Sequence, residues 1–461
     1  MMLTLSIIVI VAGFALNVNG DLDVMSNTFC PIPWNFQAVR NNGDIRVCCQ
    51  ANVTENQGVV RHEDGTPYNA GRDNMETARN ASLMKEVRKN MLTGEWSQEC
   101  GRCQQEEASG LNSRRQYELE NWKFSIDDAR YITDEDGSVK DRNLEYYDLR
   151  FGNLCNLACR MCGPTDSHTW YEQWTDYHGS DEYKDTHGTV KLERNENGRL
   201  STTDYDWHNS ETFWTQIEAN IPNIKHVYMA GGEPMMIERH YEFLQKCIDA
   251  GQSKKMIIEY NTNMSNLPQR VLDMWTQFKQ VRVGASMDGM GDTVEYQRWP
   301  LKWTQAYKNL QKLDEYAEKN PNILAWMACT VTAYNIWHVP RFMKWKLQDS
   351  GFTKINSTRK RPIITHHVAH GPKRVNVRVL PSDMKQEIVD YYAKCIAKFK
   401  AEYPEDIAKN AENILNSITK YMLGADFSDK LPEFIKFTNY LDQARGHSIL
   451  DIAPEYKSLF K

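Results

Sequence analysis

Residues 146–162 read YYDLRFGNLCNLACRMC, and the rest of the chain is organised around this stretch. Tyr146–Phe151 is a short run rich in aromatics, which predicts a buried strand. Directly after it, Cys155, Cys159 and Cys162 fall at spacings of four and three. Thiolates are strong ligands for zinc and for iron–sulfur clusters. A closed site needs a fourth ligand, and the following residues, GPTDSHTW, offer no further cysteine. The triplet is thus either a site with one corner open or a zinc site completed from elsewhere in the chain.

Outward from this point the pattern is alternating strand and helix. Further strands are expected at His226–Ala230, Met256–Asn261, Val281–Ser286 and Ile323–Val331, with Val375–Leu380 as a sixth. Helical periodicity lies between them, at Arg239–Ala250, Pro268–Phe278, Lys302–Glu318 and Val339–Leu347. Such alternation implies a parallel sheet, open or closed into a barrel. A polar, acidic stretch at about 178–210 interrupts it and reads as a surface insertion, a candidate lid. Residues 381–461 read as a helical C-terminal extension. The strand ends carry unusual residues: the cysteine triplet, GGEP at Gly231–Pro234, NTN at Asn261–Asn263, SMDG at Ser286–Gly289, and Thr332–Asn335. In a βα barrel such ends converge on one mouth.

The chain has 461 residues, too long for one ordinary domain, and a net charge of only −6. No global basic field draws it to nucleic acid, and no stable membrane anchor is expected. Its eleven cysteines are an odd number, which disfavours a fully paired disulfide framework. Cys247, Cys329 and Cys395 continue apolar runs and read as small buried hydrophobes. Leu3–Val18 is apolar and of signal-peptide length, but no Lys or Arg precedes it. Translation from Met25 and a cytoplasmic location are the expectation, with residues 1–24 as an extension and export as the alternative.

CNLACRMC matches the CxxxCxxC motif of the radical S-adenosylmethionine enzymes. GGEP, TN and SMDG match the next motifs in that family's order, so the chain resembles the family over about Glu145 to Trp345. The resemblance implies a partial (β/α)6 TIM-like barrel over about 140–380. It implies a [4Fe–4S] cluster on Cys155, Cys159 and Cys162, whose open iron takes S-adenosylmethionine. One-electron cleavage would give a 5′-deoxyadenosyl radical that abstracts hydrogen from a substrate. A reductant such as a flavodoxin or ferredoxin is implied. Met161 would stand near adenine, where the family usually has an aromatic. Gly231, Gly232 and Glu233 would receive the methionine amino group. Asn263, Ser286 and Asp288 would make polar contacts to the cofactor, unless Asp288 merely caps the next segment. Arg298 would pair with its carboxylate.

The first quarter holds Cys30, Cys48, Cys49, Cys100 and Cys103. Cys100 and Cys103, with Cys30 and one of Cys48 and Cys49, make four thiolates, enough to close a cluster or a zinc site. Residues 25–125 resemble the SPASM/twitch modules that carry a second, auxiliary [4Fe–4S] cluster, though here the module precedes the barrel. Adjacent side chains in extended chain face opposite ways, so only one of Cys48 and Cys49 should reach a metal, with Cys48 favoured. HHVAH at His366–His370 reads as a solvated or substrate-facing loop, and Asp181–Asp185 as a solvated face. The module suggests a peptide or protein side chain as substrate. The alternatives are dehydrogenation of a carbohydrate or aminocyclitol, and a secreted cysteine-rich binding protein.

Overall fold

The computed structural model describes residues 28–51, 58–108, 112–140, 142–186, 188–355 and 363–460. Residues 1–24 and the alternative start at Met25 lie outside them. Among the described residues there are twelve strands. They are β1 (Phe36–Val39), β2 (Ile45–Arg46), β3 (Tyr146–Phe151), β4 (Glu182–Asp185), β5 (Gly188–Lys191), β6 (Glu193–Arg194) and β7 (Leu200–Ser201). The rest are β8 (His226–Gly231), β9 (Ile257–Thr262), β10 (Gln280–Ser286), β11 (Ile323–Val331) and β12 (Thr365–Val368).

Eight strands form one sheet in the order β12-β11-β10-β9-β8-β3-β1-β2. From β3 to β12 the neighbours follow chain order and are all parallel, each step crossing over through helix. This is the α/β architecture expected from the alternation: six parallel strands wound in one direction. In this order β12 stands at one end and β2 at the other. Phe151, at the end of β3, stacks on Trp207 and Trp214 on one face of the sheet. Tyr146, Asp148 and Arg150 share the other face.

That second face is covered by the N-terminal quarter. β1 pairs in parallel with β3, from Phe36 opposite Tyr146 to Val39 opposite Leu149. The helix Arg114–Asn121 lies over the strands: Arg114 Nη2 donates to the Tyr146 hydroxyl at 2.9 Å, and Arg282 Nη1 donates to the Tyr117 hydroxyl at 3.3 Å. β3 and β10 are three strand spacings apart, about 14 Å if flat, and a sheet curled round the helix brings both within its reach. Residues 28–125 therefore build part of the sheet.

Two expectations are corrected. Val375–Leu380 is not a strand. It forms two short 3₁₀ turns, Lys373–Val375 and Val377–Val379. Its period-two pattern is real, since Val375, Val377 and Val379 are all buried. However, Asn376 takes the place of a partner strand, accepting from Arg378 N–H and donating to the Ala369 carbonyl. The sixth strand is β12, which overlaps the first three residues of HHVAH. His366 sits opposite Cys329 and meets Ser417 Oγ at 2.7 Å, so burial pushes its imidazole down to about 4. It is a wall residue rather than part of a solvated loop. The insertion, in turn, makes two hairpins, β4–β5 and β6–β7, around a small core of Tyr171, Tyr183, Val190, Leu192 and Tyr205.

Candidate functional site

The cysteine loop leaves β3 and is fixed through its backbone. Ser167 Oγ donates to the Leu157 carbonyl at 2.6 Å, Thr169 Oγ1 to the Cys155 carbonyl at 2.5 Å, and Trp170 Nε1 to the Cys159 carbonyl at 3.1 Å. His168 Nδ1 accepts from Cys155 N–H at 3.2 Å. Burial lowers the His168 pKa, which keeps the ring neutral and able to accept. With its backbone held, the loop presents thiols. Cys155 and Cys159 are buried and Cys162 is half-buried. Burial, then Cys159 and Glu233, push the Cys155 thiol up to about 12. The Cys159–Cys162 pair shares a hydrogen bond that draws Cys159 down and Cys162 up, and Arg298 favours the Cys159 thiolate. Among the described residues, no three His, Cys, Asp or Glu side chains converge tightly enough for a single metal ion.

The glycines of GGEP make room for this loop. A Cβ on Gly232 would stand 2.2 Å from the Leu154 carbonyl oxygen, and one on Gly231, at φ +115°, 2.5 Å from Phe151 N. Gly232 N–H and Glu233 N–H donate to the Gly152 and Leu154 carbonyls at 2.9 and 2.8 Å. The approach the glycines permit is thus of one protein loop to another.

Glu233 is 1% exposed. Its carboxylate accepts from Met235 N–H (3.2 Å), Thr262 Oγ1 (2.7 Å) and Asn263 N–H (2.7 Å). Burial raises its pKa and these donors work against the rise. Asn263 Nδ2 lies 3.8 Å from Cys155 Sγ and 3.1 Å from Asn156 Oδ1. The ends of β3, β8 and β9 are therefore joined side chain to side chain.

Asp288 and Arg298 hold each other. Arg298 Nε lies 2.7 Å from Asp288 Oδ2, and its Nη2 donates to Oδ1 at 3.0 Å; both residues are buried. Asp288 also accepts from Thr330 N–H at 2.7 Å. It braces β10 against β11 and does not cap the following segment. Met161 is half-buried at the edge of the core, and Ser286 is half-buried at the end of β10.

The C-terminal extension, which reads as an appendage, grips the cysteine loop. Arg160, fully buried, donates to the Tyr296 carbonyl at 2.9 Å and to Asp442 Oδ1 at 2.6 Å, with its guanidinium 3.6 Å from the Tyr296 ring centroid. Phe437 stacks on Trp170, and Arg445 lies over Trp170 and Trp299. Burial, then Arg160, lower the Arg445 pKa to about 9, with Cys159 acting the other way. The sequence reading missed Arg160, Ser167–Trp170 and Arg445. The position of Arg160 inside the motif was the one available signal.

In the N-terminal quarter, Cys30, Cys48, Cys100 and Cys103 line one cavity of about 30 Å³ with Arg114 and Arg115. Burial raises Cys30 and Cys103 and pushes Cys100 up to about 12. Cys49 does not line it. A hydrogen bond with Cys48 draws Cys49 down to about 7 against the effect of burial, and Arg114 and Arg150 add to the fall. The eleven cysteines are all free.

No protein-family model and no curated protein matches the chain. Solved structures do. Native anSMEcpe with bound AdoMet aligns at 14% identity and TM-score 0.33, over 56% of this chain and 62% of that one. Less than two thirds of that protein is thus spanned. Streptococcus suis SuiB bound to S-adenosylmethionine aligns at 12% identity and TM-score 0.31, over 72% and 67%. SuiB bound to the precursor peptide SuiA aligns at 12% and 0.29. At this similarity the functional reading rests on the residues. No helix among the described residues is long and apolar enough to cross a membrane.

Proposed function

We propose that the chain is a radical S-adenosylmethionine enzyme that modifies a peptide or protein side chain. The observation that carries this is the junction of three strand ends. Three thiols from one braced loop, a glycine pair fitted to that loop, and a buried Glu233 tied to Asn263 occupy adjacent ends of β3, β8 and β9. Three soft donors of one loop, with the buried cation Arg298 beside them, suit an iron–sulfur cluster.

Cys155, Cys159 and Cys162 would hold a [4Fe–4S] cluster. Such a cluster would supply one-electron reduction of S-adenosylmethionine. Ser167, Thr169 and Trp170 fix the loop that carries the thiols. Glu233 keeps the β8 and β9 loops in register. The raised thiol pKa values mean that loading the site must release protons. Cys30, Cys48, Cys100 and Cys103 would hold the second cluster, the reading supported by their common cavity. Zinc there is the alternative, and elemental analysis separates the two. The reductant and the cytoplasmic location belong to the same proposal.

Anaerobic reconstitution followed by dithionite reduction tests the core claim. The wild-type protein is expected to form 5′-deoxyadenosine from S-adenosylmethionine, and the Cys155/Cys159/Cys162→Ala triple variant none. Equal rates in the two would refute it.

A further inference from the structure

Beside the cysteine loop lies a second cavity, of about 160 Å³, whose walls are wholly polar: Arg40, Arg46 and Arg150 with Asn41, Asn42, Thr165, Asp166 and Asp185. Its position follows from the strands. Arg40 is the first residue after β1, Arg46 ends β2, and Arg150 is the penultimate residue of β3. Thr165 and Asp166 follow Cys162 after Gly163 and Pro164, and Asn41 Nδ2 donates to the Thr165 carbonyl at 2.9 Å.

The hydrogen bonding of this cavity is incomplete on its cationic side. The carboxylates are engaged: Asp185 accepts from the Tyr205 hydroxyl at 2.7 Å and from Thr186 N–H at 2.6 Å, and Asp166 from Gly163 N–H at 3.2 Å. Asp148, on the adjoining wall, lies 3.4 Å from Arg150 Nε. The guanidiniums are less well served. Arg46 Nη2 donates to the Ala51 carbonyl at 2.8 Å, but Arg46 Nε and Arg40 Nη1 are buried with no hydrogen-bond partner among the described residues. Asp166 and Asp185 in the lining, with Asp148 beside Arg150 and Asp44 acting on Arg40, offset the three cations, but the buried donors without acceptors are costly. An oxyanion supplies the missing acceptors, and guanidinium forks match its geometry.

We propose that Arg40, Arg46 and Arg150 bind an oxyanion of the substrate, a carboxylate or a phosphate on the molecule to be modified. The pocket adjoins the cysteine loop through Thr165 and Asp166, and Asp166 is a charge neighbour of Cys162. A substrate anchored there by its anionic end extends its remainder along the mouth beside the cysteine loop. This site selects acidic substrates and rejects neutral ones, because a neutral group would leave the guanidiniums unpaired. The word "substrate" rests on the function proposed above; the oxyanion site does not.

The test is calorimetric titration of the full-length, metal-loaded protein at low ionic strength with succinate and, separately, with inorganic phosphate. Saturable one-to-one binding of at least one anion is expected. The anion that binds more tightly identifies carboxylate or phosphate as the substrate group. Arg40→Gln and Arg46→Gln are each expected to weaken binding roughly tenfold or more, as for loss of a charge-assisted contact. Arg239→Gln, which removes a charge paired with Glu211 elsewhere, should leave affinity unchanged. Absence of saturable binding, or equal affinity in the Arg40/Arg46 double variant, would overturn the site. If those variants do not fold, wild-type protein treated with an arginine-specific reagent decides instead. The bound anion must protect Arg40, Arg46 and Arg150, and equal labelling with and without it refutes the proposal. Anion binding by a protein that never cleaves S-adenosylmethionine would keep this site and sink only the reaction.

Discussion

Arg160 and Asp442 form an ion pair at 2.6 Å across 282 residues of chain, and the Arg160 side chain is fully buried. One partner stands between two cysteines of the triplet; the other lies near the end of the helix Leu431–Arg445. Asp442 also accepts from Ile449 N–H at 2.8 Å, so the same carboxylate anchors the chain beyond that helix. The cysteine loop is therefore held from the far end of the sequence.

Asp442→Asn leaves a buried guanidinium short of its counter-charge. Removing one partner of a buried pair costs on the order of 3 kcal/mol or more. Urea unfolding is expected to show that loss, and reconstituted protein should release iron to a chelator faster than wild type. Wild-type stability and iron retention would show that the helix does not support the loop.

Gly232→Ala places a methyl group 2.2 Å from the Leu154 carbonyl oxygen. Backbone has to move, at a cost of about 1–3 kcal/mol for overpacking. Because Leu154 precedes Cys155, the expected result is a lower melting temperature together with lost S-adenosylmethionine binding. Gly65→Ala is the contrast: its φ is +85°, whereas Gly232 is not in the left-handed region, and nothing lies within 4 Å of the added carbon. It should cost backbone strain only and leave ligand binding intact.

Glu233→Gln replaces an acceptor of three hydrogen bonds by a group with one acceptor oxygen and two donors. Asn263 N–H or Thr262 Oγ1 then faces an NH₂. The loss, about 1.5–3 kcal/mol for charge-assisted bonds, should appear as a ten- to hundredfold weaker S-adenosylmethionine affinity in equilibrium dialysis. Unchanged affinity would remove Glu233 from the machinery.

Cys49 should be the most reactive N-terminal thiol in metal-free protein. Its pKa is drawn down to about 7, so it is thiolate above neutral pH and thiol below, while Cys100, at about 12, stays protonated. Iodoacetamide labelling read by mass spectrometry should rise through about pH 7 at Cys49 and remain slow at Cys100. Equal labelling of the two across pH 6–9 would contradict this charge environment.

Cys100→Ala with Cys103→Ala is expected to halve the iron content, from about 8 to about 4 per chain if both sites hold [4Fe–4S] clusters. Cys48→Ala should lower it as well, and Cys49→Ala should not, because Cys48 and not Cys49 lines the four-thiol cavity. About one zinc per chain in wild-type protein, with iron near 4, would identify a structural zinc site instead.

Much of this molecule is determined by local sequence. The alternation of buried runs and helical periods is enough to set five of the six consecutive parallel strands. The strand ends can be read because side-chain chemistry changes abruptly there, at CNLACRMC, GGEP, NTN and SMDG. Tertiary structure decided what no local pattern encodes. Val375–Leu380 has a strand's period but no neighbour to pair with, while His366–Val368, with weaker periodicity, has the edge of β11 beside it. Pairing partners are non-local, so period alone cannot assign a strand. For the same reason the first quarter reads as a separate module yet supplies β1 to the sheet, and a polar-looking C-terminal helix closes over the cysteine loop. Arg40, Arg46 and Arg150 are three ordinary arginines in sequence. They become one cavity only when β1, β2 and β3 lie side by side, because a shared charge environment is a property of distance in space.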